Sequence, residues 1–190
     1  MKAFNNYETT VAASENKKLP AGGYEIGILG AEEKTYDWGS VLEVKFDICE
    51  GEYKNFYTNQ YKTSTVEDKK YKGVYRINVP KDDDSDMDEW TKRKFKRDIE
   101  AIEASNSGFH WDWDEKKLKG KKVGAIFFEK EYEYNGTRGF FTACHSFKSV
   151  NDITSGNFVI PKPKLLKETA SSAFAFADPI EEIDDDSLPF

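Results

Sequence analysis

A chain of 190 residues with 38% apolar content fits one domain of about 150–165 residues followed by a tail. Its 14 Phe, 10 Tyr and 4 Trp give even a small core ample area to bury. No apolar run is long enough to cross a bilayer, and the N-terminus Met1-Lys2-Ala3-Phe4-Asn5-Asn6 turns polar at once, which argues against a membrane span and a secretory signal. The formal net charge of −7, from 28 basic and 35 acidic residues, argues on its face against a nucleic-acid binder, but those acids are unevenly placed.

Residues 20–30 read as the first strand, with Tyr24, Ile26 and Ile28 on one face and glycines that imply bends or bulges. Residues 41–48 alternate cleanly: Leu42, Val44, Phe46 and Ile48 point one way and Glu43, Lys45 and Asp47 the other, the pattern of a half-buried antiparallel strand. Residues 53–63 predict a third strand returning after the Glu50-Gly51-Glu52 turn, and Lys72 to Val79 a further short strand or extended segment. The period then changes. Phe95, Ile99 and Ile102 recur at i, i+4 and i+7, so residues 86–104 form an amphipathic helix that Ser85 or Asp86 caps and that Asn106 and Gly108 end. Lys122 to Tyr134 and Gly139 to Val150 form two strands around Asn135-Gly136, the strongest hairpin signal in the chain.

Strands, then one helix, then a closing hairpin is the order of an OB-fold, a five-stranded antiparallel barrel with a helix between its third and fourth strands. On that expectation residues 1–160 form the OB-like domain and residues 161–190 a linker and tail, with Pro161-Lys-Pro163 stopping the sheet. Low apolar content and one-signed charge predict disorder in the linker, with Phe174 and Phe176 as exceptions.

The chemistry on offer is stacking and charge. Single-strand binders need a cationic groove for phosphates and flat rings for bases. Lys34, Tyr36 and Trp38 fall in the expected loop between the first two strands, where OB-folds bind oligonucleotides. Tyr57 and Tyr61 share a face of the expected third strand beside Lys54 and Lys62. Lys70, Tyr71, Lys72, Tyr75 and Arg76 belong to the densest basic–aromatic stretch, and Lys130, Tyr132, Tyr134 and Arg138 lie on the final hairpin. Any one of these aromatics could instead be core. Trp111 and Trp113 either clamp a base or plug one end of the barrel beneath the helix, and the lysines from Lys116 to Lys122 make a basic run that either solvates a loop or meets phosphates.

The sequence carries no signature of other chemistry. There is no phosphate-binding Gly-rich loop, and His110, His145, Cys49 and Cys144 lack zinc-site spacing. Asp84-x-Asp86-x-Asp88 begins like a calcium loop, but Glu89 stands where Gly is required. No nucleophile–base pair is evident, so no enzyme, cofactor or metal is expected. The two cysteines fit reduced thiols in a cytoplasmic protein.

The chain closes on Asp184-Asp185-Asp186-Ser187-Leu188-Pro189-Phe190. Three consecutive carboxylates repel one another in a core, and a solubilising tail has no need of Phe190. An apolar ring behind an acidic run fits a partner slot ringed by Arg and Lys. Beyond Lys167 lie seven acids and no base, so residues 1–167 balance at 28 against 28. Setting aside the six acids from Asp82 to Glu89, the remainder is modestly basic, which permits phosphate binding.

These seven residues resemble the tip of bacterial and phage single-stranded-DNA-binding proteins. The resemblance implies a body that coats single-stranded DNA without strong sequence preference, and a tip (Asp184, Asp185, Asp186, Leu188, Pro189, Phe190) that recruits replication, recombination or repair enzymes. It also implies that the tip competes with DNA for the groove. The alternatives are an adaptor that uses the tail without DNA affinity and a strand-annealing recombination factor. A homo-oligomer is compatible with each.

Overall fold

The first strand, β1 (Gly22–Tyr36), begins as the sequence pattern predicts, with Ile26 and Ile28 fully buried. The computed structural model describes residues 18–166. Beyond Ile28 the strand runs six residues past its expected end, because a bulge between Ile28 and Gly30 lets the ladder with β2 (Gly39–Ile48) resume. The bulge also changes the phase of the strand. Before it even-numbered residues face the core, and after it Ala31 stands opposite core residue Val44. Lys34 and Tyr36 therefore belong to a strand, and only Asp37 and Trp38 form the turn of a tight hairpin, where a longer loop was expected.

In β2 the alternation holds for Leu42, Val44, Phe46 and Ile48, but Glu43 and Asp47 are buried too. Asp47 explains the main departure from the expected elements. Its carboxylate accepts hydrogen bonds from the Tyr57 amide at 3.0 Å and the Thr58 amide at 2.8 Å, satisfying donors that a helix start leaves open. Residues 53–63, expected as a strand, therefore carry helix α1 (Phe56–Thr63), entered through Asn55 at φ 59°. The cap comes from ten residues upstream, so the local sequence carries no sign of it.

The third strand is instead β3 (Val74–Asn78), paired with β2. A close backbone approach fixes its entry: a Cβ on Gly73 would lie 2.3 Å from the Phe46 carbonyl oxygen, and the Gly73 carbonyl accepts from the Phe46 amide at 2.8 Å. Gly73→Ala should destabilise the fold by about 2 kcal/mol, the scale of overpacking in a tight core, measurable by urea unfolding.

Helix α2 (Asp86–Ser105) matches its expected bounds. Ser85 accepts from the Asp88 amide, and Phe95, Ile99 and Ile102 are buried. A 3-10 turn at Glu115–Leu118 buries Leu118 and leads into β4 (Lys122–Tyr134). Asn135 and Gly136, at φ 49° and 74°, turn the chain into β5 (Thr137–Lys148), and helix α3 (Val150–Thr154) follows. More than the one expected helix is present.

The five strands form one antiparallel sheet in the order β3-β2-β1-β4-β5. Its outer strands share no ladder, so the expected closed barrel is not formed through backbone pairing among the described residues. Side chains bridge the gap instead. The Tyr75 hydroxyl on β3 lies 2.9 Å from Asp98 Oδ2 and 3.0 Å from the carbonyl oxygen of His145 on β5. Asp98 on α2 accepts from the Phe147 amide at 3.2 Å and from Arg97 at 2.9 and 3.0 Å. The core, centred on Phe46, Phe127, Phe147 and Ile102, lies between the sheet and α2.

The chain beyond Pro163 stays in contact with the body as far as it is described. Lys164 donates to the Glu129 carbonyl and accepts from the Glu131 amide, both at 2.9 Å, on an edge of β4 that runs beyond β1. The acidic tip and residues 167–183 lie outside the described residues, as do residues 1–17.

Candidate nucleic-acid interface

The two-residue turn at Asn135-Gly136 fixes the register of β4 against β5. Lys130 stands opposite Phe141, Tyr132 opposite Gly139 and Tyr134 opposite Thr137. Residues directly opposite share a face, so Lys130, Tyr132, Tyr134 and Phe141 lie together. The alternate face takes Glu129, Glu131, Glu133 and Arg138, where Arg138 Nε meets Glu133 at 2.9 Å. Acids are thus segregated from the aromatic side, and Arg138 stands with the acids.

Tyr132, Tyr134 and Phe141 are 42%, 71% and 45% exposed. Gly139 lets the Tyr132 ring lie over the opposite strand: a Cβ there would meet the ring at 3.0 Å. Tyr132 and Phe141 lie 6.2 Å apart, and Lys130 Nζ sits 5.5 Å from the Phe128 ring. The sequence pattern alone does not single out Phe141, although the Asn-Gly turn places it opposite Lys130.

The β1–β2 hairpin carries a second exposed pair. Tyr36 and Trp38 stack with centroids 5.3 Å apart and planes 4° from parallel. Beside them lies an open groove of about 360 Å³ whose wall includes Glu33, Asp37 and Lys81. By the strand registers, this hairpin and the β4–β5 hairpin extend from opposite ends of β1.

Lys34 and Arg76 meet across the sheet at Glu43, with Lys34 Nζ 2.7 Å and Arg76 Nη2 3.1 Å from its carboxylate oxygens. Burial acts to raise the Glu43 pKa, but the Lys34 and Arg76 contacts prevail and hold it below the ordinary value. Both bases are therefore partly neutralised, and the cluster keeps one net positive charge. Stability tied to this group is present above the unfolded pKa near 4.5 and lost as pH falls through the lower folded value. Glu43→Gln should flatten that acid limb of a urea-stability profile.

Around α1, Lys54, Lys62, Lys70 and Lys72 are exposed, and among the described residues none of them has an ion-pair partner. Lys45, which sequence reading assigns only to the polar face of β2, is exposed on the same strand pair. Tyr61 is exposed with Lys69 Nζ 4.9 Å over its ring. The neighbouring tyrosines do not share this exposure. Tyr57 is buried edge-on against Phe46 at 5.5 Å, and burial pushes its hydroxyl pKa up. Tyr71 donates to the Phe46 carbonyl at 3.0 Å, and burial pushes it up to about 12. Tyr75 holds the latch to α2 and β5. These three act as core and scaffold, because α1 and β3 turn the Tyr57 and Tyr75 rings toward Phe46 and Phe147, and the segment before β3 ties Tyr71 to the Phe46 carbonyl.

The two indoles near the 3-10 turn divide the roles that sequence left open. Trp111 packs on the core beside Phe95. Trp113 is 74% exposed, in a left-handed backbone at φ 67°, and stacks on Phe95 at 5.9 Å. Cys49 and Cys144 are free. Burial pushes the Cys49 thiol up to about 11, with Glu25 beside it adding to the effect. At pH 8 Cys49 should react with a disulfide reagent at least ten times more slowly than free cysteine, read by absorbance.

Compared with protein-family models and with curated proteins, the chain matches none. Among the described residues no helix is long and apolar enough to cross a membrane, and no group of three His, Cys, Asp or Glu is placed to hold a metal ion.

Proposed function

We propose that this protein binds single-stranded DNA without strong sequence preference and is not an enzyme. The carrying observation is the aromatic face of the β4–β5 hairpin, where Tyr132, Tyr134 and Phe141 are exposed together beside half-buried Lys130 and the acids Glu129, Glu131 and Glu133 lie on the other face. Bases stack on such rings whatever their identity, while phosphates are met by cations along the path. Lys54, Lys62, Lys70 and Lys72 supply further positive charge beside α1 and β3, the Arg76 charge being shared with Glu43, and the Tyr36–Trp38 stack offers a second platform.

Two features support an OB-like reading of the body. The strand order β3-β2-β1-β4-β5 leaves β3 and β5 as the strands a barrel would join, and α2 lies between β3 and β4. The tail reading rests on sequence: Asp184, Asp185 and Asp186 steer, Leu188 and Pro189 present, and Phe190 fills the slot of a replication or recombination enzyme. A cytoplasmic location follows from that role.

The test is fluorescence anisotropy of labelled oligo(dT) with the full chain at low and moderate salt. Binding that weakens as salt rises is expected, because phosphate contacts release counterions. Absence of binding at low salt would leave the adaptor reading. Removing residues 184–190 should preserve or tighten DNA binding and abolish binding to the recruited enzyme; a markedly weaker DNA complex would contradict this role for the tip.

A further inference from the structure

Between Trp113 and β2 lies a small recess of about 60 Å³, lined by Glu33, Leu42, Val79, Phe95, Trp111, Trp113 and Glu115. It is an aromatic corner. Phe95 and Trp113 stack within 8° of parallel, and Trp111 stands 6.1 Å from Trp113 and 6.4 Å from Phe95.

Two costs meet there. A bulky residue at φ 67° is strained, and an indole 74% exposed leaves apolar area in water. The Trp111 amide donates to Glu103 at 2.7 Å, but the indoles of this wall gain no hydrogen bond in return. The Trp111 Nε1–H is buried and has no acceptor among the described residues.

Charge selects the occupant. Two carboxylates, Glu33 and Glu115, line the recess, and no base lines it. Among the described residues neither has an ion-pair partner, whereas neighbouring Asp112 is paired with Lys117. A DNA phosphate would be repelled here, so the recess does not extend the DNA path. Its volume lies below the roughly 300 Å³ at which sites for drug-sized ligands begin, and suits the head of one side chain. A planar guanidinium meets the shape and the charge of the recess: it stacks on an indole face, and its fork matches a carboxylate, while the Trp111 Nε1–H, itself a donor, is left to a backbone carbonyl of the same partner segment.

We propose that the recess formed by Phe95, Trp111 and Trp113, with Glu33 and Glu115 at its wall, is a docking site for an arginine side chain presented by a partner protein. None of its residues belongs to the aromatic face of the β4–β5 hairpin, so it gives the body its own protein contact while DNA is bound on that face.

The test uses the full chain labelled with ¹⁵N, whose four tryptophans (Trp38, Trp90, Trp111 and Trp113) each give an indole N–H resonance. The probe is the blocked peptide acetyl-Gly-Arg-Gly-amide, and its control replaces Arg with the neutral isostere citrulline. The arginine peptide should shift the Trp111 and Trp113 resonances saturably and leave Trp90 in place. Citrulline should bind at least ten times more weakly. Glu33→Gln with Glu115→Gln should weaken the arginine peptide at least tenfold, and Glu115→Gln alone should leave oligo(dT) affinity unchanged. Equal binding of the two peptides, or no response to the double substitution, would overturn the proposal. So would oligo(dT) shifting Trp113 in competition with the peptide, which would assign the recess to DNA. If oligo(dT) fails to bind at all while the arginine shifts persist, the DNA reading falls and this one stands.

Discussion

Asp98→Ala should lower the stability of the body by about 3 kcal/mol, the range found when one member of a buried charge network is removed. Asp98 is 1% exposed and holds three elements at once: Arg97 on its own helix, Tyr75 on β3 and the Phe147 amide on β5. No ladder joins β3 to β5 among the described residues, so this carboxylate and the Tyr75 hydroxyl form a polar link across that edge. Removing the carboxylate leaves the Phe147 amide buried without an acceptor, at a cost of about 1–3 kcal/mol on its own. In a domain of this size the loss corresponds to a fall in Tm of roughly 6–12 °C, measurable by circular dichroism.

The pH dependence of the same group has a definite sign. Burial raises the Asp98 pKa above its ordinary 3.8, overriding Arg97 and the Tyr75 and Phe147 hydrogen bonds. A carboxyl with a raised folded pKa contributes its full stability below the unfolded pKa and loses it as pH rises through the folded value. The deficit of Asp98→Asn relative to the parent should therefore shrink as pH rises from about 4 through that raised value. A deficit that grows over the same window would mean that Arg97 outweighs burial at this site.

The triple substitution Tyr132→Ala, Tyr134→Ala and Phe141→Ala should weaken oligo(dT) binding by about 100-fold. That corresponds to two stacked bases at about 1–3 kcal/mol each. All three rings are more than a third exposed, so the fold should hold, and the unfolding midpoint of the variant checks that it does. Glu129→Gln and Glu131→Gln alter the opposite face and should leave affinity within a few-fold of the parent, slightly tighter if anything. An unchanged Kd in the triple variant would move the DNA path to the Tyr36–Trp38 hairpin or to the lysines around α1.

Local chemistry made much of this legible in advance. The Ser85 cap and the spacing of Phe95, Ile99 and Ile102 define α2 with no help from the rest of the chain, because a helix signal is complete within its own turns. Asn135-Gly136 likewise fixes its hairpin: both residues accept positive φ, and the register of Tyr132, Tyr134 and Phe141 follows from turn length alone. The burial of Ile26, Ile28, Leu42, Val44, Phe46 and Ile48 follows from period-two alternation.

What the tertiary structure alone decided involves partners distant in sequence. Residues 53–63 have tyrosines and threonines that suit a strand, yet Asp47 caps them as α1, Tyr57 becomes core and Tyr71 packs half-buried against it. Lys34 and Arg76 look like free cations until the sheet registers place Glu43 between them. Trp111 and Trp113 are equivalent in spacing, and only packing against Phe95 makes one a wall and the other an exposed ring. In each case sequence supplied the chemical capacity of a side chain, through its charge, ring or hydroxyl. The long-range neighbour determined whether that capacity was spent inside the fold or left facing solvent, because burial and pairing depend on contacts that no local window contains.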